Sequence, residues 1–338
     1  MNSKYNKNKF KFMPKLVSII LPCRNEEKYI ERCIQSLIAN QSADFELEII
    51  VVDGMSTDKT VEIINNYCQQ FPFIKLLHNP EKTVPYAMNL GIANAQGEFI
   101  VRVDAHALFP KNYVSTLVTN LIFLDADNVG VVCRTDVLTK NKKTLAIKEV
   151  LSNRFGVGNS LFRVGVSKIT QADTVPFGCY KKEVFDKFGL YDVRLTRNQD
   201  LELNKRITRG GGKIYLIPNV ECIYYARETF LSIAKNNYSN GVWNMATIKW
   251  TKKLSSLSLR HFIPLIFLLS LILPLLLSVF YTPLLWIAIC SSCLYISFLT
   301  IICIYLAIYK KNNFFYLFWS FVTLHFSNGF GSLVGVLK

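Results

Sequence analysis

Read for the spacing of its apolar residues, the chain changes character twice. As far as Asp104, short unbroken apolar runs alternate with segments of helical period. Residues 17–22, 47–53, 74–78 and 98–104 are rich in Val, Ile and Leu with little polar alternation, as strands buried on both faces are. Between them, residues 26–40 carry Ile30, Cys33, Ile34, Leu37 and Ile38 at three- and four-residue steps. Residues 57–67 repeat the pattern with Val61, Ile64 and Tyr67, and residues 84–95 form a third such segment that ends near Gly97. Strand and helix in alternation predict a mainly parallel sheet covered on both faces. In open sheets of this kind ligands bind outside the carboxyl ends of the strands.

The next stretch is less regular. Residues 129–133 read as a strand, and residues 140–168 as an excursion containing a helix. Residues 177–180 lead into a helix at 182–188, and residues 189–192 form a turn. Residues 198–207 begin a helix with Leu201 on its apolar face, closed by Gly210, Gly211 and Gly212. Residues 213–218 read as one more strand.

Beyond Arg260 the pattern changes again. Residues 261–281 and 283–309 contain no Asp, Glu, Lys or Arg. Each has about the twenty residues needed to cross a bilayer, and neither shows the polar stripe of a buried soluble helix. Lys252, Lys253 and Arg260 precede the first, and Lys310 and Lys311 follow the second. The positive-inside rule puts both ends of this hairpin in the cytoplasm. A third apolar segment, residues 314–337, holds His325, Asn328, Gly329, Gly331 and Gly335, and its sequence leaves open whether it spans.

Composition sharpens this division. The formal net charge is +15 while 51% of the 338 residues are hydrophobic, two properties that one uniform domain would not combine. Four segments are expected: a basic arm at 1–15 without a cleavable signal peptide, an α/β domain at 16–226, an interfacial helical linker at 227–260, and a membrane region at 261–338. In the linker, Phe230, Ile233, Tyr238, Trp243, Met245 and Trp250 are interspersed with lysines, which suits either an interfacial helix or one packed on a core. The nine cysteines lack the spacing of a disulfide framework or zinc site. Cys290 and Cys293 fall inside an apolar span and read as small apolar residues. The spans lack paired charges and repeats, which argues against a pure transporter, and no nucleic-acid partner is expected.

The candidate chemistry lies where the first strands run out. Asp104-Ala105-His106 ends the fourth. In extended backbone, residues two apart face the same side, so both side chains can reach one divalent cation, and that cation a diphosphate. Arg24-Asn25-Glu26 follows the first strand. Asp53-Gly54-Met55-Ser56-Thr57-Asp58 follows the second; its hydroxyls suit helix capping, and the Asp53 carboxylate suits an N–H of a base such as uracil.

These blocks, with Gln199-Asp200 opening a helix, resemble the inverting nucleotide-sugar glycosyltransferases of family two over about residues 17–243. The Asp-Ala-His variant, the run from Asn198 to Asn204 and the short hydrophobic tail are most similar to the succinoglycan-type exopolysaccharide branch. The resemblance implies a GT-A fold: an α/β, Rossmann-like nucleotide-diphospho-sugar transferase domain, here with a C-terminal helical membrane region. It implies that Pro22, Arg24, Glu26 and Asp53 line the nucleoside pocket, with Ser56, Arg102 and Asp104 completing the nucleotide-sugar site. Asp104 and His106 take the positions of the metal motif, for Mn2+ or Mg2+, where His106 either ligates the metal or hydrogen-bonds a phosphate or Asp104. Asp200 matches the catalytic base, and Gly178 falls in the loop that faces the acceptor. Lys82, Arg102, Arg227 and Lys235 are further candidates for phosphate contacts, while Glu202 reads as a surface charge.

Two departures matter. The family usually has Glu-Asp where this chain has Gln199-Asp200, yet the essential acid is kept. Processive synthases carry Gln-x-x-Arg-Trp, whereas residues 238–243 keep only Trp243. The resemblance therefore implies addition of one sugar per encounter. The donor is expected to be a UDP-sugar and the acceptor a hydroxyl of a polyisoprenyl-linked or other envelope glycan. The location implied is a bacterial-type inner membrane, crossed more than once, with the catalytic domain in the cytoplasm. A polyisoprenyl-phosphate sugar synthase and an inactive assembly scaffold are the alternative readings.

Overall fold

A computed structural model describes residues 16–338; the basic arm at 1–15 lies outside the described residues. The chain divides into two compact units. The first runs to Arg134 and resumes over Gly165–Tyr224; the second comprises Thr135–Val164 and Tyr225–Lys338. The excursion after residue 134 thus belongs with the C-terminal helices and not with the α/β domain that surrounds it in sequence.

The elements of the first unit begin with β1 (Leu16–Cys23), α1 (Ile30–Ile38), β2 (Glu46–Asp53), α2 (Thr60–Gln70), β3 (Ile74–His78) and α3 (Val84–Asn94). Then follow β4 (Phe99–Arg102), β5 (Ala107–Leu108), α4 (Tyr113–Phe123) and β6 (Asn128–Asp136). The second unit contributes α5 (Lys142–Ser152), α6 (Arg154–Val157) and α7 (Leu161–Val164). The first unit resumes with β7 (Thr170–Gln171), β8 (Cys179–Lys181), α8 (Glu183–Phe188), α9 (Gln199–Arg209) and β9 (Ile214–Tyr225). The last helices are α10 (Phe230–Thr251), α11 (Ile263–Leu277), α12 (Pro283–Tyr309) and α13 (Phe314–Leu337).

The sheet runs β3-β2-β1-β4-β8-β6-β9-β5, with β7 on β9. β1 pairs in parallel with β2 and β4, and β2 with β3; β8 runs antiparallel to β4. Val17, Ile19, Ile20 and Leu21 of β1 and Ile49, Ile50, Val51 and Val52 of β2 are fully buried. Covering by helices on both faces explains why these strands are unbroken apolar runs. The register sets Cys23 beside Asp53, Asp53 beside His78 and Ile20 beside Arg102, so the carboxyl ends of four strands meet at one edge.

The opposite edge is tied by a polar knot. Glu48 is buried and accepts from Ser18 Oγ at 2.6 Å, Gln96 N at 2.7 Å and Lys75 Nζ at 3.0 Å, while Ser18 Oγ accepts from Gly97 N at 2.8 Å. This group joins β1, β2, β3 and the turn before β4.

Helix starts differ from the sequence expectation. α1 begins at Ile30 and α2 at Thr60, later than residues 26 and 57. The intervening N–H groups are spent across the two loops: Asn25 N donates to Ser56 Oγ, Thr57 N to Asn25 Oδ1, Glu26 N to Thr60 Oγ1 and Glu27 N to Asp58 Oδ2. The last strand is also longer than expected, continuing through Pro218 to Tyr225. Its short partners β7 and β5 pair at residues 215–216 and 223–224, on either side of the proline.

In the second unit, Ala146 and Val150 of α5 form one buried cluster with Leu299, Ile302, Cys303 and Leu306 of α12 and Leu317, Phe321 and Leu324 of α13. Helix α13 packs along α10 through small residues. A Cβ at Gly331 would strike the Tyr238 carbonyl oxygen, one at Gly241 the Asn328 carbonyl oxygen, and one at Gly335 would lie 2.8 Å from Val242 O. Helix α10, expected as a linker at the interface or a helix on a core, is thus packed against α13. Among the described residues two helices are long and apolar enough to cross a membrane: Leu259–Leu277, mean hydropathy 2.1, and Pro283–Tyr309, mean hydropathy 2.3. Both keep most of their apolar surface exposed, Leu276 at 62% and Trp286 at 68% among them.

Candidate active site

The loops that leave β1 and β2 form one wall of a cleft. Asn25 and Met55 both have left-handed backbone, with φ of 55° and 59°, which turns each loop sharply after its strand. The Asp53 carboxylate is almost fully buried. It accepts from Ser56 N at 3.0 Å and from Ser56 Oγ, and lies 4.0 Å from His78 Nδ1. Asp53 and Ser56 thus fix the loop, and Gly54 between them lines the cleft.

The cleft has a volume of about 200 Å³. Of the residues expected there, Pro22, Arg24, Glu26, Lys82, Asp104 and His106 line it. Two polar lining residues, Asn79 and Thr83, were not anticipated. Asn79 Oδ1 accepts from Glu81 N and its Nδ2 donates to Thr83 O, shaping a turn in which Lys82 is left-handed at φ 60°. Thr83 precedes α3, where a hydroxyl ordinarily caps the helix. Here it makes no cap bond, and its Oγ1 is buried without a hydrogen-bond partner in the protein.

His106 and Asp104 reach the cleft from the end of β4. His106 Nδ1 lies 3.6 Å from Glu26 Oε1, and the ring sits edge-on to Tyr224 with centroids 4.8 Å apart. Burial disfavours its charge, but the nearby Glu26 carboxylate, together with Tyr224 and Asp104, outweighs that and pushes its pKa up to about 9. Asp104 Oδ1 lies 3.3 Å from Arg102 Nη2.

Arg102 departs from the expected phosphate contact. It is not among the lining residues but is buried at 6% exposure, its backbone fixed between β1 and Gly178 O, which accepts from Arg102 N at 3.0 Å. Its Nη1 lies 3.7 Å from Asp200 Oδ2. Burial opposes the charge, yet Asp104 and Asp200 raise the pKa further above its ordinary value. One guanidinium therefore stands between the metal-motif acid and the expected base, which lie almost a hundred residues apart in sequence.

Asp200 enters on the first turn of α9, after Asn198 in left-handed backbone at φ 61°. Its carboxylate is a third exposed, while the Gln199 side chain beside it is buried with its Oε1 unpartnered. Glu202 corrects the surface-charge expectation. It is buried, with Arg206 Nη2 at 2.7 Å, and Arg206 also donates to the Phe188 and Leu190 carbonyls. That pair anchors α9 to the turn before it. Asn204, fully buried, accepts from Asn128 Nδ2 at 2.8 Å and donates to Thr174 Oγ1 at 2.9 Å. Gly178, expected in the loop facing the acceptor, is buried directly before β8, where a Cβ would strike the Asn128 amide. Arg227 and Lys235 belong to the second unit.

The profile of Glycosyl transferase family 2 matches residues 18–189, half of the chain. The chain belongs to this family. It is a glycosyltransferase, and the match covers β1 through α8, including the cleft and the end of β4. A dolichyl N-acetyl-alpha-D-glucosaminyl phosphate 3-beta-D-2,3-diacetamido-2,3-dideoxy-beta-D-glucuronosyltransferase of Methanococcus voltae is 30% identical over 67% of this chain and 71% of its own length. The succinoglycan biosynthesis protein ExoA of Rhizobium meliloti is 29% identical over 62% of this chain and 63% of its own. Among solved structures, a mannosyltransferase of Pyrobaculum calidifontis in complex with GDP-Man and Mn2+ superposes with a TM-score of 0.59 at 18% identity, covering 97% of this chain and 88% of that one. That likeness supports the family-two domain as a GT-A fold.

Proposed function

We propose that the chain is a non-processive, inverting, membrane-anchored glycosyltransferase. It takes a nucleotide-diphosphate sugar as donor, with a UDP-sugar expected, and a hydroxyl of a lipid-linked or envelope glycan as acceptor. The observation that carries this reading is the convergence of Asp104 and Asp200 on Arg102, at the strand edge where the cleft opens. The nucleoside lies in the cleft against Pro22, Arg24 and Glu26, on the loop that Asp53 and Ser56 hold. The diphosphate reaches Asp104 and His106, with Lys82 and Arg24 offsetting its charge.

The side chains of Asp104 and His106 are about a quarter exposed, and no group of three acids, histidines or cysteines suited to a metal occurs among the described residues. This fits a cation that takes two ligands from the protein and the remainder from phosphate oxygens. Mn2+ or Mg2+ held so would offset the growing charge of the diphosphate leaving group. Asp200 takes the proton of the acceptor hydroxyl as that oxygen attacks the anomeric carbon opposite the departing diphosphate. General-base help of this kind gives about 10²–10⁴-fold, and a single displacement inverts the anomeric centre.

The two apolar helices support anchoring in a membrane, and flanking Lys252, Lys253, Arg260, Lys310 and Lys311 support a cytoplasmic location of both their outer ends. The dolichyl-linked acceptor named for the Methanococcus relative and the succinoglycan biosynthesis named for the Rhizobium one support a lipid-linked or surface glycan. The test is transfer of label from a panel of UDP- and GDP-sugars to a membrane lipid extract. Transfer by the wild type, with kcat lowered about 10²–10⁴-fold in Asp200→Asn and UDP affinity kept within about threefold, is expected. A folded wild type that transfers no sugar from any donor would refute the reading.

A further inference from the structure

The buried guanidinium of Arg102 is more than a charge near the site. Its backbone is held on both sides, by β1 at Ile20 and by Gly178 O, and its side chain is 7% exposed. Nη2 faces Asp104 at 3.3 Å and Nη1 faces Asp200 at 3.7 Å. Nε and Nη1 make no hydrogen bond within the protein. The Nη1–Asp200 separation is thus an ion pair, with room to close. A side chain immobilised in this way costs little further entropy when it orients a partner.

We infer that Arg102 is a positioning residue that yokes Asp104, on the donor side, to Asp200, on the acceptor side. Asp200 sits at the start of a helix whose preceding residue is in left-handed backbone, and its carboxylate is a third exposed. Among the described residues Arg102 makes the one ion pair shown for this carboxylate. Arg102 supplies its direction from β4, the rigid strand that also carries the donor-side acid. Planar and forked, a guanidinium can address two carboxylates at once, which a lysine ammonium on the same strand cannot do with the same geometry. The inference rests on Asp200 being the base, as proposed above.

A double-mutant cycle on the full chain in detergent tests it: Arg102→Met, Asp200→Asn, the pair together, and Arg102→Lys. In the wild-type background Arg102→Met lowers kcat by about 100-fold, the loss typical of a misplaced reacting group. In the Asp200→Asn background the same change costs less than about threefold, because the group it orients is gone. Arg102→Lys recovers less than about a tenth of the wild-type kcat, since restoring charge does not restore the fork. Equal losses in both backgrounds would overturn the yoke and return Arg102 to a direct contact with substrate; full activity in Arg102→Lys would reduce it to a charge. Far-UV circular dichroism and a single monodisperse peak in detergent certify that each variant is folded, and where Arg102→Met fails that check the lysine variant decides. Melting temperatures of the same four variants read the pair without any donor. The yoke requires the double variant to melt no lower than Arg102→Met alone, and strictly additive drops overturn it. Absence of transfer by the wild type would therefore sink the functional reading while the melting cycle still judges the yoke.

Discussion

Glu48→Ala separates what holds the sheet from what acts at its edge. Glu48 pairs in register with Ser18 near the start of β1 and β2, at the end of the strands remote from Asp53 and Asp104. The substitution removes the acceptor of the Ser18 hydroxyl, which is fully buried, and of Gln96 N and Lys75 Nζ. An orphaned buried donor costs ~1–3 kcal/mol. Gln96 and Lys75 are exposed enough to return to water at lower cost, so Ser18 dominates and the sum is about 2 kcal/mol. For a unit of this size that lowers Tm by about 4–8 °C. Calorimetry of the detergent-solubilised chain is the assay. Tryptophan emission is unsuitable, because Trp243, Trp250, Trp286 and Trp319 all lie in the second unit.

The pH dependence sharpens the test. Burial alone would raise the Glu48 pKa, but hydrogen bonds from Gln96 N, Ser18 and Lys75 bring it below the ordinary carboxylate value. A depressed pKa contributes stability that is present above the unfolded-state value and lost as pH falls through the folded-state one. The gap in Tm between wild type and Glu48→Ala is therefore widest near neutrality and closes at acid pH. Transfer activity below the melting range stays unchanged. A melting temperature within 1 °C of wild type, or a gap that widens on acidification, would refute this account of the knot.

Other outcomes follow from the same structure. With His106 raised to about 9, direct ligation of a metal must displace a proton, so affinity for Mn2+ should rise about tenfold per unit between pH 6 and 8.5; a flat profile, by isothermal titration, would show that His106 does not ligate. Glu26→Gln removes the main partner that raises His106, and its imidazole should titrate lower by NMR; an unmoved titration would assign the shift elsewhere. Gly331→Leu forces α13 away from Tyr238 of α10 and should lower the yield of monodisperse protein in detergent, whereas an equal yield and melting profile would show that the helices separate freely.

Much of this was written in local sequence. Four apolar runs became β1 to β4 because strands covered on both faces have no polar side to display, and that signature needs no knowledge of partners. The apolar helices were legible for a related reason, since about twenty residues without charge leave few soluble structures open. Asp104, His106, Arg24 and Glu26 were found because the carboxyl ends of parallel strands share one edge, whatever the loops do. Tertiary structure decided what depends on pairs far apart in the chain. Only the folded sheet sets Arg102 between Asp104 and Asp200, buries Glu202 against Arg206, and assigns Thr135–Val164 to the C-terminal helices. It also delayed α1 and α2, because Asn25 N donates to Ser56 Oγ while Thr57 N donates to Asn25 Oδ1, bonds that neither segment could have announced alone. Apolar period is a property of each segment by itself, whereas the partner of a buried charge is a property of the packing that brings two segments together.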